Sequence, residues 1–231
     1  MINFHPTLEQ LRAFVTGDLP PALSIMVSAH CDMCPRCMEM VDSITEELAQ
    51  ESFDEVSGQE SHELPNSMQS MLADITKLPS SLSADELITI AKKKDNNHIE
   101  LDGRKFPLPR TLHRYVNKTG NWSSLVGKLW QAPVDMGTQG VANFIFMGHG
   151  GSVPEHTHRG TEYTLVINGE FSDGLNQYDS GDFILMDSTH THTPEAVSHD
   201  GCLVFSMVDE PLHFTSGLAR LLNPFSHLFF R

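Results

Sequence analysis

The sequence predicts two modules of different class, a small helical domain followed by an all-β barrel. Apolar residues recur at helical intervals up to about residue 77, and short apolar runs separated by turn residues replace them from about residue 122. Charge divides the chain in the same way, because the first 76 residues carry 13 acids against 2 bases and so hold −11 of the formal net charge of −15. We expect a helical domain at 1–80, a linker at 81–115 and a barrel domain at 116–231.

Four helices are predicted in the first module. Thr7 to Gln10 has the form of a capping box, and Gly17 ends the apolar pattern that follows it. Pro20-Pro21 opens a second helix that should extend to about Ala29. A third helix is expected over 36–50, a fourth and weaker one from Ser67 to about Lys77, and a short helix in the linker from Ala84 to Lys93.

The second module has the pattern of an antiparallel β-protein. Its turn signals include Asn168-Gly169 and Asp173-Gly174, and the runs between them are short enough to be strands. Regular spacing of this kind is typical of a β-sandwich or barrel. The predicted strands cover residues 142–147, 162–167, 183–186 and 202–208.

An imidazole and two thiols near the end of the second helix have the spacing of a zinc site. His30 precedes Cys34 by four residues, and Cys37 follows three later. Two thiolates at this separation can bind one tetrahedral Zn²⁺, a preceding histidine can supply a third ligand, and His5 is the best candidate for the fourth. The alternatives are a redox pair, buried structural thiols, or a rival ligand set that includes Cys31.

A second metal motif lies in the β-module. Residues 150–169 fit the pattern G-x5-H-x-H-x3-E-x6-G, which is the first motif of the cupin family. His156 and His158 should lie on one face of an extended segment, because side chains alternate along a strand, and Glu162 should return on the adjoining strand. The motif therefore resembles that of a cupin barrel, with a jelly-roll-like fold.

The fourth ligand of this second site is expected among the histidines that follow. We choose His192, because its His-Thr-Pro setting matches the cupin family, and keep His190 as the alternative. Three imidazoles and a carboxylate can hold Zn²⁺, Fe²⁺, Mn²⁺ or Ni²⁺, and the order of affinities does not choose among them. We expect zinc here, with the other three metals as alternatives; a metal-free cupin is the competing interpretation.

The candidate zinc site near the N-terminus carries a more specific resemblance to a known protein family. His5, His30, Cys34 and Cys37 within about 80 acidic helical residues resemble the zinc domain of bacterial anti-sigma factors that sequester extracytoplasmic-function sigma factors. The resemblance implies that these four residues bind zinc. With a cupin barrel behind it, the chain is similar to ChrR-type anti-sigma factors, which implies release of the sigma factor when the barrel senses oxidative stress such as singlet oxygen. Oxidation of the barrel ligands or of Cys202 would be the trigger.

Other function classes are disfavoured by composition. With 30 acids against 15 bases, the chain lacks the basic surplus that nucleic-acid binding or an anionic membrane surface requires. The N-terminus lacks the pattern of a secretory signal and no window approaches about 20 apolar residues, so we expect a cytoplasmic protein. The rival hypothesis is a cupin metalloenzyme, an iron-dependent dioxygenase or isomerase with a zinc-stabilised helical appendage. A third hypothesis is a metal-dependent scaffold protein. In the anti-sigma hypothesis, the free protein could form a homodimer.

Overall fold

The computed structural model describes residues 1–56, 65–77, 96–125, 127–137, 141–210, 212–215 and 217–225. Contacts group them into two compact units, one formed by 1–44 with 96–231 and the other by 45–95. Helices occupy the N-terminal portion and strands most of the remainder, as the sequence predicts. The predicted helix from Ala84 to Lys93 lies outside the described residues, and the boundaries at 80 and 115 stay a prediction.

All four predicted helices in the described N-terminal portion form. Thr7 and Gln10 make the predicted capping box, and Gly17 ends the first helix in the left-handed conformation. The second helix continues four residues beyond Ala29, so that His30 lies inside it rather than after it. The helices are α1 (Leu8–Thr16), α2 (Pro21–Met33), α3 (Pro35–Val56) and α4 (Asn66–Lys77).

Helix α2 is the most buried of these helices, because it packs against both α1 and a 3₁₀ helix at Arg110–Lys118. Asp32 strengthens this contact: its carboxylate accepts the backbone N–H and the hydroxyl of Thr111, both at 2.7 Å. Ser28, one turn earlier on α2, shares a hydrogen bond with the same hydroxyl at 2.8 Å. The helical segment is thereby fixed to the start of the β-module.

The strands confirm a β-rich second module. A hairpin, β1–β2, falls within the stretch predicted as a linker. The strands are β1 (His98–Leu101), β2 (Arg104–Pro107), β3 (Ser123–Ser124), β4 (Leu129–Val134), β5 (Val141–Met147), β6 (His156–Thr157), β7 (Glu162–Asn168), β8 (Glu170–Ser172), β9 (Gln177–Asp179), β10 (Phe183–Met186), β11 (Thr191–His192), β12 (Glu195–Ala196), β13 (Cys202–Val208) and β14 (His213–Phe214).

Three antiparallel sheets build the cupin-like fold. The largest has the order β10-β7-β13-β5-β4-β3, and two three-stranded sheets have the orders β11-β6-β14 and β12-β8-β9. Ile145 and Val204 of the large sheet pack in one core with Phe171 and Tyr178 of the β12-β8-β9 sheet. Every residue of the central strand β13 is buried, which is expected for a strand covered on both faces.

Candidate metal centres

The first candidate centre combines residues from the N-terminal segment and two helices. One ligand atom from each of His5, His30, Cys34 and Cys37 lies within 4.8 Å of all the others. Nδ1 of His5 is 3.5 Å from Sγ of Cys34 and 3.4 Å from Sγ of Cys37. Because zinc binds sulfur at about 2.3 Å and nitrogen at about 2.0 Å, neighbouring ligands of a tetrahedral site lie about 3.5 Å apart. The donor spacing therefore fits a zinc ion.

The junction between α2 and α3 brings the two thiols together. Cys34 ends α2 in an extended conformation with φ −116° and ψ 97°, as expected for a residue that precedes a proline. Pro35 then starts α3 and places Cys37 in its first turn. This break in the helix turns both sulfurs toward His30, which lies one turn before the end of α2.

His30 has the protonation state of a metal ligand. Its Nδ1–H donates to the carbonyl of Gly181 at 2.8 Å, which leaves a lone pair on Nε2. Among the described residues, this buried Nε2 has no hydrogen-bond partner. Burial lowers the pKa of His30 to about 4, so the ring is neutral near pH 7. An unpaired, buried lone pair of this kind requires a partner, and a metal ion supplies one.

The thiol of Cys37 needs a nearby cation to ionise near pH 7. Burial, followed by the neighbouring Cys34, raises the pKa of Cys37 to about 12. Cys31 is also buried, and its pKa is raised to about 12 mainly by burial. The structure does not bring Cys31 into the group of four. The rival ligand set that includes Cys31 is therefore less well supported than the set with His5 and His30.

The second candidate centre lies inside the barrel. His156, His158, Glu162 and His192 contribute ligand atoms that all lie within 4.8 Å of one another. Nε2 of His192 is 3.0 Å from Nε2 of both His156 and His158. The alternative candidate, His190, is exposed and pairs instead with a nearby aspartate. The structure thus brings together the four residues chosen from the sequence.

Two sheets supply three of these side chains, and the fourth, His158, lies just after strand β6. His156 and His192 are direct partners across β6 and β11, in the β11-β6-β14 sheet. Glu162 begins β7 in the large sheet, whereas we expected it on a strand adjoining the histidines. The barrel cluster therefore depends on how the two sheets pack, which the period of alternation within one strand does not predict.

Hydrogen bonds orient the barrel ligands. Nδ1–H of His156 donates to the carbonyl of Pro154 at 2.8 Å, which leaves Nε2 free to bind. Oε1 of Glu162 accepts the hydroxyls of Thr164 at 2.8 Å and Ser206 at 2.9 Å. Thr164 lies two residues after Glu162 and so on the same strand face, a signal that could have identified it. Ser206 is distant in sequence and gave no such signal.

The charges in the barrel cluster suit a divalent cation. Burial lowers the pKa of His192 to about 4 and also lowers the pKa values of His156 and His158, so all three rings are neutral near pH 7. Burial opposes ionisation of Glu162, but attraction to the protonated forms of the three imidazoles, together with the hydrogen bond from Thr164, more than offsets it and holds the pKa of that carboxyl below its usual value. The result is three neutral nitrogen donors beside one carboxylate.

A small cavity adjoins the barrel cluster. Its volume is about 50 Å³, enough for a few water-sized molecules and far below the roughly 300 Å³ or more of sites for drug-sized ligands. Three of its lining residues belong to the cluster, and most of the others are apolar. They are Ile145, Met147, Val153, His156, Glu162, Thr164, Phe171, Ile184, Met186, His192, Pro194, Val204 and Leu212.

Cys202 lies in the core of the barrel, packed with residues of the large sheet. It is fully buried, and burial raises the pKa of its thiol well above the usual range. A protonated thiol in an apolar core is a poor nucleophile, so its oxidation requires the barrel to open first.

Across the part of the chain that the structure describes, no helix combines the length and the apolar character that a membrane span requires.

Comparison with known proteins agrees with both modules. Residues 113–210 match the family described as the ChrR cupin-like domain. The chain is 28% identical over 230 residues to the anti-sigma-E factor ChrR of Cereibacter sphaeroides, a match that covers 97% of this chain and 98% of that protein. It also superposes, with a TM-score of 0.65 and 24% identity, on a chain in the crystal structure of Rhodobacter sphaeroides SigE in complex with the anti-sigma ChrR, covering 90% of this chain and 100% of that one. Residues 113–210 therefore match the ChrR cupin-like domain, and the chain resembles the anti-sigma factor ChrR along nearly its full length.

Proposed function

We propose that this chain is an anti-sigma factor that sequesters an extracytoplasmic-function sigma factor. The observation that carries the proposal is the similarity to the anti-sigma-E factor ChrR, which extends over nearly the whole of both chains and so includes both metal clusters. We assign the protein to the cytoplasm, where RNA polymerase works, and assign DNA contact to the sigma factor alone. In this proposal the chain is not an enzyme, and the free form could pair as a homodimer.

The N-terminal centre would give the sigma-binding helices their shape. Zinc, when bound, cross-links the ligand-bearing segments and holds the two thiols as thiolates. Cys34 and Cys37 then fix the angle between α2 and α3, while His5 ties the start of α1 to the same point. A small helical unit with few apolar residues per helix depends on such a cross-link for stability.

The surface for the sigma factor would combine an apolar helix face with acidic charge. Met68, Met71, Leu72 and Ile75 recur at helical spacing on α4, and each is more than half exposed. An apolar stripe of this kind matches the helix-in-groove mode of recognition. The net charge of −11 over the first 76 residues would steer a basic partner toward it.

The barrel would act as the sensor, with oxidants such as singlet oxygen as its signal. Support comes from the donor set of His156, His158, Glu162 and His192 beside a cavity of about 50 Å³. The small space beside the donors suits a small oxidant better than a bulky organic substrate. It favours sensing over the alternative of an iron-dependent dioxygenase or isomerase, which needs room for its substrate next to the metal.

Affinity capture of the full-length chain from a bacterial lysate tests the proposal. A basic sigma factor of about 20 kDa should be recovered at near one-to-one ratio, as expected for a complex of nanomolar affinity, about −12 kcal/mol. The matched control is the double variant Cys34→Ser with Cys37→Ser, which should recover much less. Turnover of a small acid or ketone without recovery of a sigma factor would instead establish the enzyme hypothesis.

A further inference from the structure

A turn of the barrel lies against the N-terminal metal centre. It spans residues 179–182, between β9 and β10, and its Gly181 carbonyl accepts Nδ1–H of His30 at 2.8 Å. Because a carbonyl can only accept, the bond fixes the tautomer in which Nε2 of His30 carries the free lone pair. A residue of the β-module therefore orients one imidazole of the N-terminal ligand set.

The next residue of the same turn holds the segment that carries the other imidazole. Asp182 is fully buried, and its Oδ1 accepts the backbone N–H groups of Asn3 at 2.6 Å and Phe4 at 2.9 Å. Its Oδ2 accepts the N–H of Asp179 at 2.8 Å, which closes the turn. Hydrogen bonds to a buried carboxylate are among the stronger ones in proteins. Since His5 directly follows Phe4, these bonds set where its ring lies.

Side-chain packing seats the N-terminal segment on the turn. The ring of Phe4 tilts against Tyr178 with centroids 4.7 Å apart, and its carbonyl accepts the N–H of Phe183 at 3.0 Å. Gly181 has a φ of +96°, and a Cβ built on it would overlap the side chain of Ile2. Only glycine fits both this conformation and this approach without strain. Specific residues of both the N-terminal segment and the turn therefore determine how the two segments pack.

Strand β10 connects this turn to the barrel cluster. The strand starts directly after Asp182 and ends four residues later at Met186. Met186 pairs in register with Glu162, and both line the small cavity. The two candidate metal centres are therefore joined by one short strand, with His30 and His5 held at one end and Glu162 at the other.

We propose that the turn at residues 179–182 is an outer part of the N-terminal metal centre and controls how tightly that centre retains its metal. Partners that orient ligating imidazoles are worth about ten- to a hundredfold in metal affinity. Through this turn, the barrel would weaken metal retention at the N-terminal centre without contacting the sigma factor. This regulatory role rests on the function proposed above.

The test follows release of Co²⁺ from the N-terminal centre of the full-length chain. Thiolate-to-cobalt absorption reports this centre alone, because the barrel cluster contains no cysteine. Asp182→Asn should speed release to a competing chelator by about ten- to a hundredfold. The matched control is Asp135→Asn, since Asp135 is also a carboxylate of the β-module that accepts a backbone N–H group, that of Gly137 at 2.9 Å, in the turn that follows β4. It should leave release unchanged.

A second variant covers the case in which Asp182→Asn fails to fold. Asn3→Pro removes one donor to Asp182 and leaves every barrel residue in place. It should also accelerate cobalt release, with the far-ultraviolet circular dichroism of the wild type. If folded Asp182→Asn or Asn3→Pro releases cobalt at the rate of Asp135→Asn, the turn has no such role and the proposal is wrong.

Sigma-factor binding by the wild-type chain is measured separately. This measurement distinguishes failure of the role proposed for the turn from failure of the proposed function. Binding by the wild type with unchanged cobalt release in the variants would overturn the role of the turn alone. Faster release in the variants without any sigma factor bound by the wild type would support the role of the turn and overturn the proposed function.

Discussion

At the scale of single residues, burial keeps several donors of the two metal clusters neutral until a metal binds. His30 and His192 each have a pKa of about 4 because they are buried. Cys37 has a pKa of about 12, again mainly through burial. Metal binding at either centre is therefore coupled to the charge state of its donors, and at the N-terminal centre it releases the proton of the Cys37 thiol.

Serine substitutions should separate the ligands at the N-terminal centre from their neighbour. Cys37→Ser should abolish most of the thiolate-to-cobalt absorption and lower the melting temperature of the metal-loaded chain, because it removes one of four donors. Cys31→Ser should keep the absorption, since Cys31 is buried in the same motif but lies outside the group of four. Loss of the absorption in Cys31→Ser, with its retention in Cys37→Ser, would reinstate the rival ligand set.

Acidic pH should destabilise the metal-free chain. In the unfolded state His30 and His192 bind protons below about pH 6.5, whereas the folded chain does not protonate them until about pH 4. The unfolded state holds more protons throughout that window, so the free energy of unfolding falls as the pH is lowered from 6.5 to 4. Above 6.5 the two histidines contribute no pH dependence. Thermal melts in excess chelator check this, and a melting temperature that rises on acidification through the window would contradict it.

At the scale of helices and strands, the sequence predicts those features that depend on interactions between residues close together in the chain. The capping box at Thr7 and the glycine stop at Gly17 give α1 correctly, since both act within one turn. The end of α2 was placed four residues early, because its last turn is stabilised by burial against the 3₁₀ helix at Arg110–Lys118. The placement of Glu162 on a different sheet from the histidines follows from packing between sheets, which no local pattern specifies.

The hairpin turn at Gly169 offers a test of element packing. Gly169 has a φ of +84°, and a Cβ there would overlap the carbonyl of Gly201. Gly169→Ala should destabilise the chain by about 1–2 kcal/mol from backbone strain and a further 1–3 kcal/mol from overpacking. Gly174→Ala is the matched control, because Gly174 has a φ of +89° with nothing within 4 Å of its Cβ position. If urea denaturation shows the same loss in free energy of unfolding for Gly169→Ala and Gly174→Ala, the close approach to Gly201 carries no cost.

The apolar face of α4 can be tested with charge-matched variants. Leu72→Glu places a carboxylate in the apolar stripe and should weaken sigma-factor binding at least tenfold, which is about 1.4 kcal/mol. Ser70→Glu adds the same charge on the opposite face of the helix and should leave the affinity within about twofold. Binding is measured by calorimetry with purified partner. If both variants bind equally well, the stripe is not part of the interface.

At the scale of the whole molecule, two dissimilar modules are connected at more than one point. Asp32 caps the 3₁₀ helix at Arg110–Lys118, and His30 and the N-terminal segment contact the turn at 179–182. Composition, motif spacing and the resemblance to two known families predicted both modules and all four residues that meet in each cluster. They did not predict these connections, because each joins residues more than 75 positions apart through a backbone group or a turn.

The acidic N-terminal portion gives binding a salt dependence. Over the first 76 residues the net charge is −11, so attraction to a basic partner should be screened as ionic strength rises. The association rate with a purified extracytoplasmic-function sigma factor, followed by stopped-flow fluorescence, should fall several-fold between about 0.05 and 0.5 M salt. The dissociation rate should change much less, since it reflects the buried apolar contacts. A rate of association independent of salt would show that the acidic surface plays no part.

The central claim is that metal binding at the N-terminal centre, through its two thiolates, is required for the chain to bind the sigma factor. Its most direct test is the dissociation constant of the purified full-length chain with an extracytoplasmic-function sigma factor, measured for the wild type and for Cys34→Ser with Cys37→Ser. We predict nanomolar binding by the wild type and a loss of at least a hundredfold, about 2.7 kcal/mol, in the double variant. Equal affinity of the two proteins, or no binding by the wild type, would contradict the account.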